Sequence, residues 1–199
     1  MKKSASIPAC LCLILAFGVL AIQNAHAQAP EKFKFGLKAS ALYASPAVVN
    51  PEPSQVALGG YNPVWGYDVS IFAKRKIWKS ISILGQIGNS LQGRSWEGAQ
   101  YRHHLVYAEL GVSMRLIHPV FIEAGLRGGG VVATNDPYKV NMNKGDFGGR
   151  LGLGLQFSRK FSLHLDYLRS FTPFRETTLP SGNYGVFRRN FAAGLSYTF

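Results

Sequence analysis

Cysteine is nearly absent from the chain. The two that occur, Cys10 and Cys12, stand close to its start. From residue 13 onward there is no thiol, which excludes a disulfide framework, a thiol nucleophile and a cysteine metal site. Acidic residues are also scarce, at 10 against 22 lysines and arginines, for a formal charge of +12. Long apolar runs are missing after residue 22. The one such run, from about Ile7 to Ile22, falls short of the roughly 20 residues a spanning helix needs. It follows Lys2 and Lys3 and precedes Ala25-His26-Ala27, a small-x-small cleavage pattern. That order describes a secretory signal peptide over residues 1–27, with the mature chain from Gln28. Cys10 is misplaced for lipid attachment, because most of the apolar core comes after it. Residues 28–199 suit one domain. Positive charge on an exported chain predicts lipid phosphate as partner and no nucleic acid.

The chain does hold a repeated alternation of apolar and small or polar residues, seen most sharply at its end. Phe187, Phe191, Ala193, Leu195, Tyr197 and Phe199 share one phase, with Arg189 among them. Arg188, Asn190, Ala192, Gly194, Ser196 and Thr198 share the other. Side chains alternate across a strand, so this is a strand with one apolar face. The pattern recurs over residues 32–43, 65–74, 79–91, 102–115, 120–131, 147–157 and 160–168, giving eight strands in all. Phe72, Leu84, Leu105, Phe121 and Leu168 break it, as residues that would fill a narrow interior.

Connections alternate in length. Short ones follow strands two, four and six, at residues 75–78, 116–119 and 158–159. Long ones span about 44–64, 92–101, 132–146 and 169–186. Tight turns at one rim and long loops at the other are expected of a bacterial outer-membrane barrel. The apolar face is bulky and the other rich in glycine, the reverse of a water-soluble β-protein. Phe33, Trp78, Phe157, Phe161, Tyr197 and Phe199 gather at the short-turn rim; Tyr43, Trp65, Phe147 and Phe187 gather at the long-loop rim. Two aromatic girdles flanking an aliphatic band predict an all-β, eight-stranded antiparallel up-and-down transmembrane β-barrel over residues 28–199, with periplasmic termini.

On these features the chain resembles the small eight-stranded outer-membrane β-barrels: the outer-membrane protein A transmembrane domain, the outer-membrane protein X group and the opacity and porin-like proteins. The resemblance covers residues 28–199, and its sharpest match is Gly194-Leu-Ser-Tyr197-Thr-Phe199. Where the family has a polar residue two before the glycine, this chain has Ala192. The resemblance implies an assembly signal at Gly194, Tyr197 and Phe199, read by the outer-membrane assembly machinery.

Strand phase sends Lys38, Asp68, Gln86, Glu109, Glu123, Arg127, Arg150 and Asp166 into the lumen near mid-membrane. An eight-stranded barrel barely holds its own side chains, and buried charges must pair. The expectation is therefore a salt-bridged polar network that plugs the lumen. Gly36, Gly111, Gly125, Gly148, Gly152, Gly154 and Gly194, also inward, leave room for it.

Catalytic readings are weak. Ser162, His164 and Asp166 lie on one strand face, where alternate side chains run parallel rather than toward one another. His103 and His104 point to opposite faces and cannot chelate from one side, so no metal and no cofactor is expected. Gly125–Gly130 and Gly148–Gly154 are not phosphate loops, because no helix follows.

Lys74, Arg75, Lys76, Lys79, Arg159 and Lys160 cluster at the turn side as lipid-phosphate contacts. Arg94, Arg102, Lys139, Lys144, Arg169, Arg175, Arg188 and Arg189 lie toward the loops, within reach of lipopolysaccharide phosphates. The loops also carry Tyr61, Trp96, Tyr101, Tyr138, Phe171, Phe174 and Tyr184.

The function expected is non-enzymatic, envelope-structural or surface-interacting through four long loops. A narrow solute channel and a lipid A- or phospholipid-modifying enzyme are the alternatives. A monomer in the outer membrane of a Gram-negative-type bacterium is expected, in contact with outer-membrane lipid including lipopolysaccharide.

Overall fold

The computed structural model describes residues 33–49, 62–96, 98–136, 143–173, 175–179 and 182–199. Residues 1–27, expected to be a signal peptide, and the loop residues Tyr61, Tyr138, Lys139 and Phe174 fall outside them. Every described element is a strand. They are β1 (Lys34–Val49), β2 (Val64–Lys76), β3 (Ile81–Trp96), β4 (Ala99–Ile117), β5 (Val120–Thr134), β6 (Gly145–Gln156), β7 (Phe161–Ser170), β8 (Arg175–Leu179) and β9 (Gly182–Thr198).

Each strand pairs antiparallel with the next through β7, and β9 then pairs with both β7 and β1. The sheet closes on itself where β9 meets β1, while β8 pairs with β9 alone. Closure is what allows strands to cross hydrocarbon, because every ladder group finds a partner within the wall. The barrel has eight staves rather than nine. β8 pairs with residues 182–186 of β9, on the edge β7 uses lower down, so β7 and β8 together form one interrupted stave.

Alternation has the physical meaning read from the sequence. Leu37, Val69, Ile71, Ile87, Leu110, Leu151, Leu165 and Leu195 are exposed on the outside, while their neighbours in sequence point inward. An exposed aliphatic band running round a closed wall suits a hydrocarbon solvent and would aggregate in water. Aromatic contacts border it. Phe157–Phe161, Phe161–Tyr197 and Tyr197–Phe199 have ring centroids 6.1, 5.0 and 5.5 Å apart at the turn side. Tyr43–Trp65 and Tyr167–Phe191 lie 5.2 Å apart at the other side.

Two loops are shorter than the sequence reading made them. β3 and β4 stay in register up to Trp96 opposite Ala99, so residues 92–96 and 99–101 are ladder and not loop. The turn is tight because Gly98 takes φ +82°, a left-handed value that costs a glycine little. Residues 169–186 likewise contain the β8–β9 hairpin. Both segments read as loops because apolar residues thin out there, although the backbone pairing continues.

Leu84, Leu105, Phe121 and Leu168 are buried inside, as expected for residues filling a narrow interior. Leu42, Ala44, Val64, Leu168 and Ala192 pack as an apolar cluster.

Candidate functional site

The lumen is where charge concentrates. Arg150, from β6, is 2% exposed and sits at the centre. Its Nε donates to Glu109 Oε1 of β4 at 2.5 Å. Its Nη1 donates to Glu123 Oε2 of β5 at 3.0 Å and to Asp166 Oδ1 of β7 at 2.8 Å. Asp166 also pairs with Lys38 Nζ of β1 at 2.6 Å. Arg127 extends the web from Glu109, at 3.2 Å, to Asp68 of β2, at 3.0 Å. Asp68 further accepts the Tyr107 hydroxyl at 2.6 Å, and the Arg127 guanidinium lies 3.6 Å above the Tyr107 ring. Gln86 is buried opposite Glu109 in the ladder. All eight residues assigned to the lumen by phase are inside and buried, and seven of them are joined by these ion pairs.

Space for the web comes from residues without side chains. A Cβ on Gly152 would strike the Asp166 carboxylate, and one on Gly125 would come within 2.8 Å of Glu109 Oε1. Two of the inward glycines thus hold the place of carboxylates. Gly111, Gly148 and Gly194 instead admit close approach of the neighbouring strand's backbone.

Lys74 belongs to this web and not with the exposed turn cations. Its ammonium lies 2.6 Å from Ser113 Oγ, 3.6 Å from Glu123 Oε1 and 4.9 Å from the Phe121 ring centre. Its phase with Asp68 and Ser70 already pointed inward; proximity to the turn had suggested the opposite. With Lys74 included, four bases face four acids, so the layer is charge-balanced. Lys76, Lys79, Arg159 and Lys160 are exposed and Arg75 is half-buried. Lys160 Nζ reaches Tyr197 Oη at 3.3 Å, and Arg75 lies over the Phe33 ring at 5.3 Å.

A second polar layer lies nearer the loops. Arg94 pairs with Asp136 at 2.9 Å and Arg188 with Asp146 at 3.1 Å, all four buried. Ser170 Oγ donates to Asp146 at 2.6 Å, and Asn190 Nδ2 donates to Gln92 Oε1 at 3.0 Å. His103 Nδ1 sits 2.8 Å from Thr134 Oγ1. Between these groups is a cavity of about 10 Å³, room for about one water. The sequence reading sent Arg94 and Arg188 toward lipopolysaccharide. The structure turns both into the barrel: Arg94 because β3 extends further than the alternation suggests, and Arg188 because it keeps the inward phase of the last strand, against its nearness to the loops. Along β4 and β7, Leu105 and Leu168 separate this layer from the lower web.

His164 gains a serine across the ladder. Ser196 Oγ of β9 is 2.8 Å from His164 Nε2, and Glu123 is 3.8 Å from Nδ1. Residue types and order match a hydrolytic triad, yet the access does not. Ser196 and His164 are both buried, the Phe121 ring covers the imidazole at 5.4 Å, and Glu123 is bound to Arg150. Ser162, the serine singled out in the sequence, faces Ser196 in the ladder. Register across β7 and β9, which the sequence alone did not fix, was the missing signal.

At the carboxy terminus, Gly194 backs onto Ala39 and Ser40 of β1. Phe199 donates its backbone N–H to Phe35 at 2.9 Å and leaves its ring exposed. Among the described residues, no group of three or more histidine or acidic side chains is placed to hold a metal ion.

The chain matches no protein-family model and no curated protein sequence. Among solved structures it is similar to Neisserial surface protein A, with 15% identity, 85% of this chain and 100% of that chain covered, and a TM-score of 0.53. It also aligns with Ail, the attachment invasion locus protein of Yersinia pestis, at 11% identity, 84% and 99% coverage and a TM-score of 0.46. AlkL, an outer membrane protein, aligns at 13% identity, 100% and 97% coverage and a TM-score of 0.43. The fold is thus that of the small eight-stranded transmembrane barrels.

Proposed function

We propose that this chain is a non-enzymatic outer-membrane protein whose lumen is closed and whose contacts are made by its outer surface and loops. The observation that carries this is Arg150, which ties β4, β5 and β7 together across the lumen. A solute path would have to break ion pairs that are buried, and breaking one such pair costs about 3–5 kcal/mol. The sealed surroundings of His164 and Ser196 support the absence of catalysis. On this reading the chain is exported by residues 1–27, and its last strand serves as the assembly tag at Gly194, Tyr197 and Phe199. The exposed Lys76, Lys79, Arg159 and Lys160, together with Arg75, contact inner-leaflet phosphates.

Planar-bilayer recording tests the closed lumen. Wild-type protein should give no stable single-channel step; a large, reproducible step would overturn the reading and favour the solute channel. Reversing charge at Lys79 and Arg159 should weaken binding to vesicles rich in anionic lipid, and unchanged binding would remove the turn contact.

A further inference from the structure

Arg188 and Arg189 are neighbours with opposite fates. Arg188 turns inward to Asp146, while Arg189 faces outward and is exposed. Directly opposite Arg189 in the β7–β9 ladder stands Arg169, also outward and exposed. Facing side chains in an antiparallel pair have Cβ atoms roughly 5 Å apart, and like charges so placed repel. Neither guanidinium meets a carboxylate among the described residues. Gly149 faces Arg169 from β6, with the Phe171 ring lying over that glycine, and Ser45 faces Arg189 from β1.

Position decides what would relieve the repulsion. The row immediately below, toward the aliphatic band, is Tyr167 opposite Phe191, then Tyr43 opposite Trp65. The row above includes Phe147, whose ring meets Phe171 at 5.8 Å. Aromatic girdles sit at the level of lipid headgroups. The two cations therefore stand in the headgroup plane on the loop side, on the wall's outer face. Further down, Ala41 faces Ala193, leaving a shallow trough in the band below the aromatic row.

The geometry points to a lipid-phosphate site in which Arg169 and Arg189 together clasp the phosphate of an outer-leaflet glycolipid while an acyl chain lies over Ala41 and Ala193. Two planar guanidiniums suit a phosphomonoester, which carries about two charges, better than the single charge of a phospholipid diester. The site depends on the barrel spanning a membrane and not on any loop partner.

The test uses full-length mature protein refolded without lipid into detergent, with native mass spectrometry counting bound lipid. Bis-phosphorylated lipid A, its dephosphorylated form and phosphatidylglycerol are titrated separately. Wild type should hold the phosphorylated lipid about tenfold more tightly than the other two. Arg169→Ala with Arg189→Ala should lose that preference, Arg169→Lys with Arg189→Lys should keep part of it, and Arg102→Ala should leave it intact. Heat-modifiable gel mobility shows that each variant is folded. Equal binding by wild type and the double alanine variant would overturn the site. So would equal affinity for the phosphorylated and dephosphorylated lipid. Displacement of lipid A by inorganic phosphate at millimolar concentration would overturn the lipid and leave a plain phosphate site. A conducting wild-type channel would sink the closed-lumen reading and leave this one standing.

Discussion

Arg150 and Arg188 are both buried arginines on the inside of one barrel, but Arg150 meets carboxylates from three strands whereas Arg188 shares Asp146 with the Ser170 hydroxyl. In the lower web nearly every charge has two partners. Glu109 accepts from Arg127 and Arg150, Asp166 from Lys38 and Arg150, and Glu123 from Arg150 and Lys74. In the upper layer the ion pairs Arg94–Asp136 and Arg188–Asp146 are shorter straps, and the Asn190–Gln92 hydrogen bond reaches from β9 to β3. A branched web distributes its charges, so loss of a hub strands several acids at once. Breaking a strap takes one partner from one acid. The lower layer therefore acts as a cross-lumen clamp, and the upper layer fastens the mouth.

The sharpest way to break this contrast is Arg150→Met. Three buried carboxylates would lose a partner, and unfolding in lipid vesicles by urea should show a loss of about 5 kcal/mol. The same variant should raise bilayer conductance above that of wild type. Arg188→Met should cost less, about 3 kcal/mol, and leave conductance near baseline. Equal losses for the two would erase the distinction between web and strap. Leu105→Ala tests the apolar step between the layers. A loss of about 2 kcal/mol without conductance is expected, the low end for a buried leucine because space in the lumen is small. At the far end, Lys160→Ala removes an exposed hydrogen bond to Tyr197 and should change stability by no more than about 0.5 kcal/mol. A larger effect there would mean that this turn cation matters to folding.

The lower web was legible in the sequence because phase alone fixes which residues face in, and the strand count brings them to similar depth. Asp68, Glu109, Arg127 and Arg150 needed no knowledge of partners to be placed inside. The upper layer was legible only in part. Arg188 and Asn190 share the inward phase of the last strand, whereas Arg94 sits where glycine, serine and charged residues replace the aliphatic repeat, so there the alternation fades before the hydrogen-bond ladder does. Beyond the band the outer face no longer needs to be apolar, and the sequence stops advertising a strand that still exists. Ser196 beside His164 was missed for a different reason: contact across strands depends on register, and the β7–β9 register is set by how the barrel closes.

That closure has a kinetic consequence. Seven seams of the barrel join staves that follow one another along the chain, and each can form as soon as both are present. The eighth joins Gly36 to Thr198 and Ala44 to Asn190, partners separated by nearly the whole sequence. Loop-closure entropy weighs against such a contact until the rest of the wall is built. Before it forms, the edges of β1 and β9 both lie open, each able to pair with another chain. The β1–β9 seam thus decides whether the sheet becomes a sealed cylinder or an aggregate. Slowing that single seam, for instance with a bulkier residue at Gly194 against Ala39 and Ser40, would lengthen the vulnerable interval without altering any hairpin.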